Sequence, residues 1–239
     1  MSVFLGGYSE QGHDKAINQD AFRFKRIAEK NLAYIIVADG LGSCAHSDEG
    51  ADTVTRIVEQ WIKEDLGQYG VLSESIGNIL ARNVIDNWRK IYSEQIRIEY
   101  DTTVHFAIWL KDKVMVGGVG DGMLLVEQNG YCGDYVSKGN FFSNVTNSMC
   151  SENIDELFST EVIEKSGDDL GIIIATDGIA DDILSEKKVE LPAYFRDIIQ
   201  SQNQMALNAE IEDWLENWET EGHCDDKTIC YLIASGEKE

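Results

Sequence analysis

Three aspartates in this chain share one setting. Asp39, Asp177 and Asp121 are each followed by Gly, and each ends a short hydrophobic run: AYIIVADG, IIIATDG and VMVGGVGDG. Apolar runs of this length, rich in Ile and Val and stopped by Gly, read as buried strands. A carboxylate at the end of such a strand is held by a rigid element yet faces the rim. That is where a metal ligand or a catalytic acid belongs. Gly40 lets the backbone turn and leaves a carbonyl open to a close ligand. Asp-Gly is also a common two-residue hairpin turn. One instance would favour the turn. Three of them, two followed by a helical pattern, favour a carboxylate cluster. A hairpin explains Asp121 nearly as well, whereas Asp225-Asp226, placed before a final apolar run, has no obvious packing purpose.

Composition narrows the classes. The chain has 239 residues, 43% hydrophobic, with a single Pro, which suits one domain over residues 1–239 and argues against linkers. A net charge of −23 excludes nucleic acid and disfavours anionic membrane surfaces as partners. Phosphate stays accessible if bound cations reverse the local potential. The Cys count of five is odd and no pair has zinc-ligand spacing, so these read as reduced thiols of a cytoplasmic protein. Residues 1–11 lack the basic and apolar regions of a signal peptide, and no apolar stretch is long enough to span a membrane.

The elements that must position the aspartates follow from periodicity. Strands are expected over residues 2–8, 19–25, 34–38, 102–110, 114–120, 123–127, 170–176 and 227–234. The stretch 123–127 is expected to continue a meander from 114–120. A helix capped by Ser47 should run to about Leu66, with Ala51, Val54, Ile57, Val58 and Trp61 on its apolar face. A second should cover 72–98 through Ile76, Ile79, Leu80, Val84, Trp88, Ile91 and Ile96. Further helices are expected from 179, over 193–199 and over 205–218. Residues 131–165, with Phe141-Phe142 and Asn144-Val145-Thr146, read as an irregular flap over one end of a sheet. Paired helices and hairpin-like strand runs imply antiparallel sheets covered by helices.

The order of motifs resembles the metal-dependent protein phosphatases, the protein phosphatase 2C family, in a compact bacterial form. The resemblance runs from about Gly12 to Ile233. It rests on Asn18-Gln19-Asp20-Ala21-Phe22, Val37-Ala38-Asp39-Gly40-Leu41-Gly42, Asp101-Thr102-Thr103, Val119-Gly120-Asp121-Gly122, Ala175-Thr176-Asp177-Gly178-Ile179-Ala180-Asp181 and Asp225-Asp226-Lys227-Thr228. Each motif alone is weak; six in the family's order are strong. The resemblance implies an α+β fold, a four-layer αββα sandwich of two antiparallel sheets flanked by pairs of antiparallel helices. It also implies hydrolysis of phosphoserine and phosphothreonine by a hydroxide bridging two Mn²⁺ or Mg²⁺ ions. Such hard cations prefer oxygen ligands, and two of them can hold a phosphoryl group for in-line attack without a Ser or Cys nucleophile.

Carried over by position, Asp39 would bridge both metals and the Gly40 carbonyl would bind one. Asp177 and Asp225 would bind the other, and Asp20 would orient metal-bound water. Asp121, with Asp177 and Asp181, would match the weaker third-metal site of the bacterial type. Lys15 stands where the family has an Arg that grips the substrate phosphate; it keeps the charge and loses the bidentate fork. Gln19 replaces a metal-contacting Glu of many members, Leu41 a His used by some as general acid, Asp101 a Gly and Gly122 a Ser. His46, His13 and water are the remaining proton sources. A phosphoprotein substrate, a partner protein kinase and a monomeric state are the expectations. These departures leave an alternative open: a pseudophosphatase or phosphoprotein-binding regulatory module with little or no turnover.

Overall fold

The computed structural model describes residues 1–13, 15–136, 146–218, 220 and 224–236. Its strands are β1 (Ser2–Glu10), β2 (Asp20–Ile27), β3 (Leu32–Asp39), β4 (Val104–Leu110), β5 (Lys113–Val119), β6 (Met123–Gln128), β7 (Tyr131–Asp134), β8 (Ser159–Glu164), β9 (Leu170–Ala175) and β10 (Lys227–Ser235). They form two five-stranded sheets, in the orders β1-β10-β9-β6-β7 and β2-β3-β4-β5-β8. Every pairing is antiparallel.

The helices are α1 (Ser47–Glu64), α2 (Leu66–Tyr69), α3 (Glu74–Ile91), α4 (Ile154–Leu157), α5 (Asp177–Ala180), α6 (Ser185–Lys188), α7 (Leu191–Ser201) and α8 (Gln204–Glu216). In β3, Ala33, Ile35 and Val37 face the core between the sheets, while Tyr34, Ile36 and Ala38 pack under α1 and α3. This is why the strand reads as an unbroken apolar run: both of its faces are covered. In the other sheet, Ile172 and Ile174 point inward, and Ile173 and Ala175 lie under Phe195 of α7 and Leu207 and Ile211 of α8. The layers are therefore helix, sheet, sheet, helix, the α+β sandwich expected from the motif order.

Antiparallel order gathers the important strand ends at one rim. Asp20, the first residue of β2, sits directly opposite Asp39, the last of β3. Glu10 at the end of β1 faces Lys227 at the start of β10, and Met123 at the start of β6 pairs with Ala175 at the end of β9.

Several expectations need correction. β6 does not continue a meander: β5 and β6 belong to different sheets, so Asp121-Gly122 crosses between layers and is not a hairpin turn. Gly122 adopts φ +95°, a conformation a residue with a Cβ rarely takes. Within the supposed flap, Tyr131–Asp134 and Ser159–Glu164 are edge strands; Phe141-Phe142 and Asn144-Val145 lie outside the described residues. β8 escaped notice because its sequence, STEVIE, is polar along its exposed edge. The second long helix stops at Ile91, and Ile79, Ile91 and Ile96 are exposed instead of lining its apolar face. Ser47 is the first helical residue and not the cap; its buried hydroxyl accepts a hydrogen bond from Gln19 Nε2 at 2.6 Å.

Trp88 of α3 is fully buried against Tyr92, ring centroids 4.7 Å apart. Trp88→Ala should cost about 3–5 kcal/mol, read as a lower urea midpoint. A loss within the error of the wild-type midpoint would contradict this packing.

Candidate active site

The rim is built from the backbone outward. Thr102 and Thr103 clamp the end of β3: Asp39 N donates to Thr103 Oγ1 at 3.0 Å, and the Asp39 carbonyl accepts from Thr103 N and Thr102 Oγ1, both at 2.8 Å. Gly40 continues as a single bridge to Thr102, its N–H donating to the Gln19 carbonyl at 3.1 Å. A Cβ here would meet the Gln19 and Ser47 carbonyl oxygens at 2.6 Å, so Gly40 is required by close backbone approach. Among the described residues nothing donates to the Gly40 carbonyl.

Asp20 accepts a hydrogen bond from Thr176 Oγ1 at 3.0 Å, and Thr176 itself leads into Asp177 at the head of α5. Asp39 and Asp177 act on each other's protonation. Burial, with neighbouring negative charge, pushes this group upward in pKa. Asp20 rises to about 7, through burial and then the charges of Asp226 and Asp225, against hydrogen bonds from Thr228 and Thr176. Asp39 lies well above the usual carboxylate range through burial and the charges of Asp20, Asp177 and Asp225. Asp177 is raised by burial, offset by Asp39 and reinforced by Asp121, Asp225 and Asp181. The sequence-predicted carboxylates thus share one electrostatic neighbourhood.

Asp225 and Asp226 divide their work. The side chain of Asp226 is 1% exposed, and its two oxygens accept from Gly12 N at 2.7 Å and Gln19 N at 2.8 Å. It therefore anchors Gly12 and Gln19, a role sequence reasoning missed; the only signal was the doubled Asp. Lys15, expected at a phosphate, is engaged otherwise: its ammonium pairs with Asp225 and lies 3.2 Å from Asp226. Asp121 Oδ2 accepts from Thr146 Oγ1 at 2.6 Å, and the buried His105 ring nitrogen Nε2 bonds the Asp121 carbonyl at 2.8 Å. Asp101, far from being a neutral stand-in for Gly, holds Ser148 Oγ at 2.6 Å and Cys150 N at 3.0 Å. His46 stacks on Tyr100 with centroids 5.1 Å apart, and His13 is exposed. None of the five Cys forms a disulfide. A cavity of about 380 Å³, with Val3, Arg26, Ala33, Trp109 and Lys111 in its wall, opens among the opposite strand ends, and among the described residues its lining has no carboxylate.

The family model of protein phosphatase 2C matches residues 8–216. The chain belongs to the protein phosphatase 2C family. No curated protein matches the sequence. Among solved structures, the S. agalactiae serine/threonine phosphatase is 16% identical, with TM-score 0.71 over 97% of this chain and 99% of that one. The catalytic domain of the serine/threonine protein phosphatase PstP, in complex with two manganese ions, is 10% identical, with TM-score 0.65 over 98% and 99%. RsbX in complex with magnesium is 16% identical, with TM-score 0.64 over 98% and 96%. At these identities the likeness shows the shared protein phosphatase 2C fold.

The donor set suits the hard cations of that family. All its candidate ligands are oxygens, and Asp20 Oδ1 and Asp177 Oδ1 are buried with no hydrogen-bond partner. Buried acceptors without a donor are costly, and a dication removes that cost. The carboxylates are not yet closed around a point: among the described residues no three His, Cys, Asp or Glu groups are drawn together as a metal cage.

The raised pKa of Asp20 has a signed consequence. In metal-free protein the folded state keeps a proton that the unfolded chain has lost, so stability is full below about pH 4 and declines as pH rises to about 7. The melting temperature of chelator-treated protein should fall more steeply over that range in the wild type than in Asp20→Asn. Equal slopes in the two proteins would refute the assignment.

Proposed function

We propose that this chain is a metal-dependent protein serine/threonine phosphatase, one phosphatase domain over residues 1–239, acting on phosphoserine and phosphothreonine. The observation that supports it most is that Asp20, Asp39, Asp177 and Asp225, from separate segments of the chain, bear on one another's charge at one rim, in a member of the protein phosphatase 2C family. Asp39, the Gly40 carbonyl, Asp177 and Asp225 would hold two Mn²⁺ or Mg²⁺ ions, with Asp121 beside a weaker third. When bound, such a pair supplies positive charge for the phosphoryl oxygens and an acidified water. Asp20, fixed by Thr176, orients that water by accepting its hydrogen bond. Lys15 adds a single point charge near the rim. Leu41 has no proton to give, so leaving-group protonation falls to solvent, His46 or His13.

A phosphoprotein substrate, a partner kinase, a monomeric state and a cytoplasmic location accompany this reading. Among the described residues no helix is long and apolar enough to cross a membrane. The pairing of Lys15 with Asp225 favours a second reading, a phosphoprotein-binding module with little turnover.

Hydrolysis of p-nitrophenyl phosphate and of a phosphothreonine peptide separates the two. Turnover should require Mn²⁺, vanish with chelator and in Asp39→Asn, and fall about 10–100-fold in Asp20→Asn. Equal rates in all conditions would end the phosphatase proposal, and peptide binding without turnover would favour the module.

A further inference from the structure

We propose that the Lys15 ammonium is a built-in counter-ion competing with a divalent cation for the charge of Asp225, so that filling the site works against the Lys15–Asp225 pair. The inference rests on the metal-site reading above and adds a residue that sets cation affinity. Lys15 Nζ pairs with Asp225 Oδ1 and lies 3.2 Å from Asp226 Oδ2. Among the described residues no other Lys or Arg ion-pairs with Asp20, Asp39, Asp121, Asp177 or Asp225. Burial pulls the ammonium's pKa down, but the hydrogen bond and charge of Asp225, then Asp226, outweigh it and leave it raised.

The two aspartates differ in what they need from Lys15. Both Asp226 oxygens already accept backbone amides, from Gly12 and Gln19, so this buried carboxylate is satisfied without the ammonium. Asp225 is 38% exposed, its carbonyl accepts from Lys227 Nζ at 2.9 Å, and its Oδ1 accepts from Asp226 N at 2.9 Å as well as pairing with Lys15, so the carboxylate stays placed when the ammonium moves. Lys15 is 22% exposed and carries its charge on a flexible four-carbon stem, so it can swing to solvent while Gly12 and Gln19 stay anchored. A dication and an ammonium held by one carboxylate repel each other, so each weakens the other's hold. By linkage, Lys15 weakens the cation by the factor by which the cation weakens the Lys15–Asp225 pair.

Calorimetric titration with Mn²⁺ tests this in the wild type, Lys15→Met, Lys15→Gln and Asp39→Asn. Removing the ammonium should tighten Mn²⁺ binding about tenfold in both neutral variants. In wild-type protein with ¹³C-labelled lysine, Mg²⁺ should move one ε-methylene resonance, absent from Lys15→Arg, toward the solvated lysines. That measurement serves even if a neutral variant fails to fold. Unchanged Mn²⁺ affinity and an unmoved resonance, with binding abolished in Asp39→Asn, would overturn the competition and leave the metal site standing. No Mn²⁺ binding by the wild type or Lys15→Met would overturn both.

Discussion

Two aspartates face each other across adjacent strands, and the rest of the rim answers to that pair. Asp20 and Asp39 are directly opposed in the β2–β3 register, a placement that is destabilising when both carry charge. Asp177, Asp225 and Asp121 add to the same potential. A protein selected only for stability would not place them so. Burial and mutual repulsion push protons onto these groups, and an external cation relieves the conflict more completely than a proton does. The acidic rim is thus maintained at a cost borne by the sandwich beneath it.

That sandwich holds the rim rigid through short polar clamps. Thr102 and Thr103 fix the backbone of Asp39, Thr176 spans from the β9 end to Asp20, and Asp226 ties Gly12 and Gln19 to the start of β10. Each clamp joins two strand ends, so the carboxylates are placed by the fold and not by local loop preference. The apolar layers beneath are sealed on both sides by helices, which leaves the strand ends as the place for polar chemistry. The protein phosphatase 2C fold therefore separates the parts that give stability from the parts that pay for function.

Lys15 shows how one substitution changes the balance. An arginine would offer a planar fork suited to a phosphate, whereas a lysine presents one compact charge that a neighbouring carboxylate can capture. Here Asp225 captures it.

By itself the chain determined its strands, its Asp-Gly ends and its helix faces, because apolar periodicity is local and a buried strand must be apolar whatever it packs against. Ala33–Asp39 and Ile172–Thr176 were legible for that reason, and motif order carried the family. The tertiary structure alone decided that β5 and β6 lie in different sheets, that STEVIE is an edge strand and that Ile79, Ile91 and Ile96 face solvent. It alone separated a buried Asp226 from an exposed Asp225 and gave Lys15 its partner. Those features depend on which segments meet across more than 200 positions of sequence, as Gly12 and Asp226 do, and no local pattern encodes such a meeting.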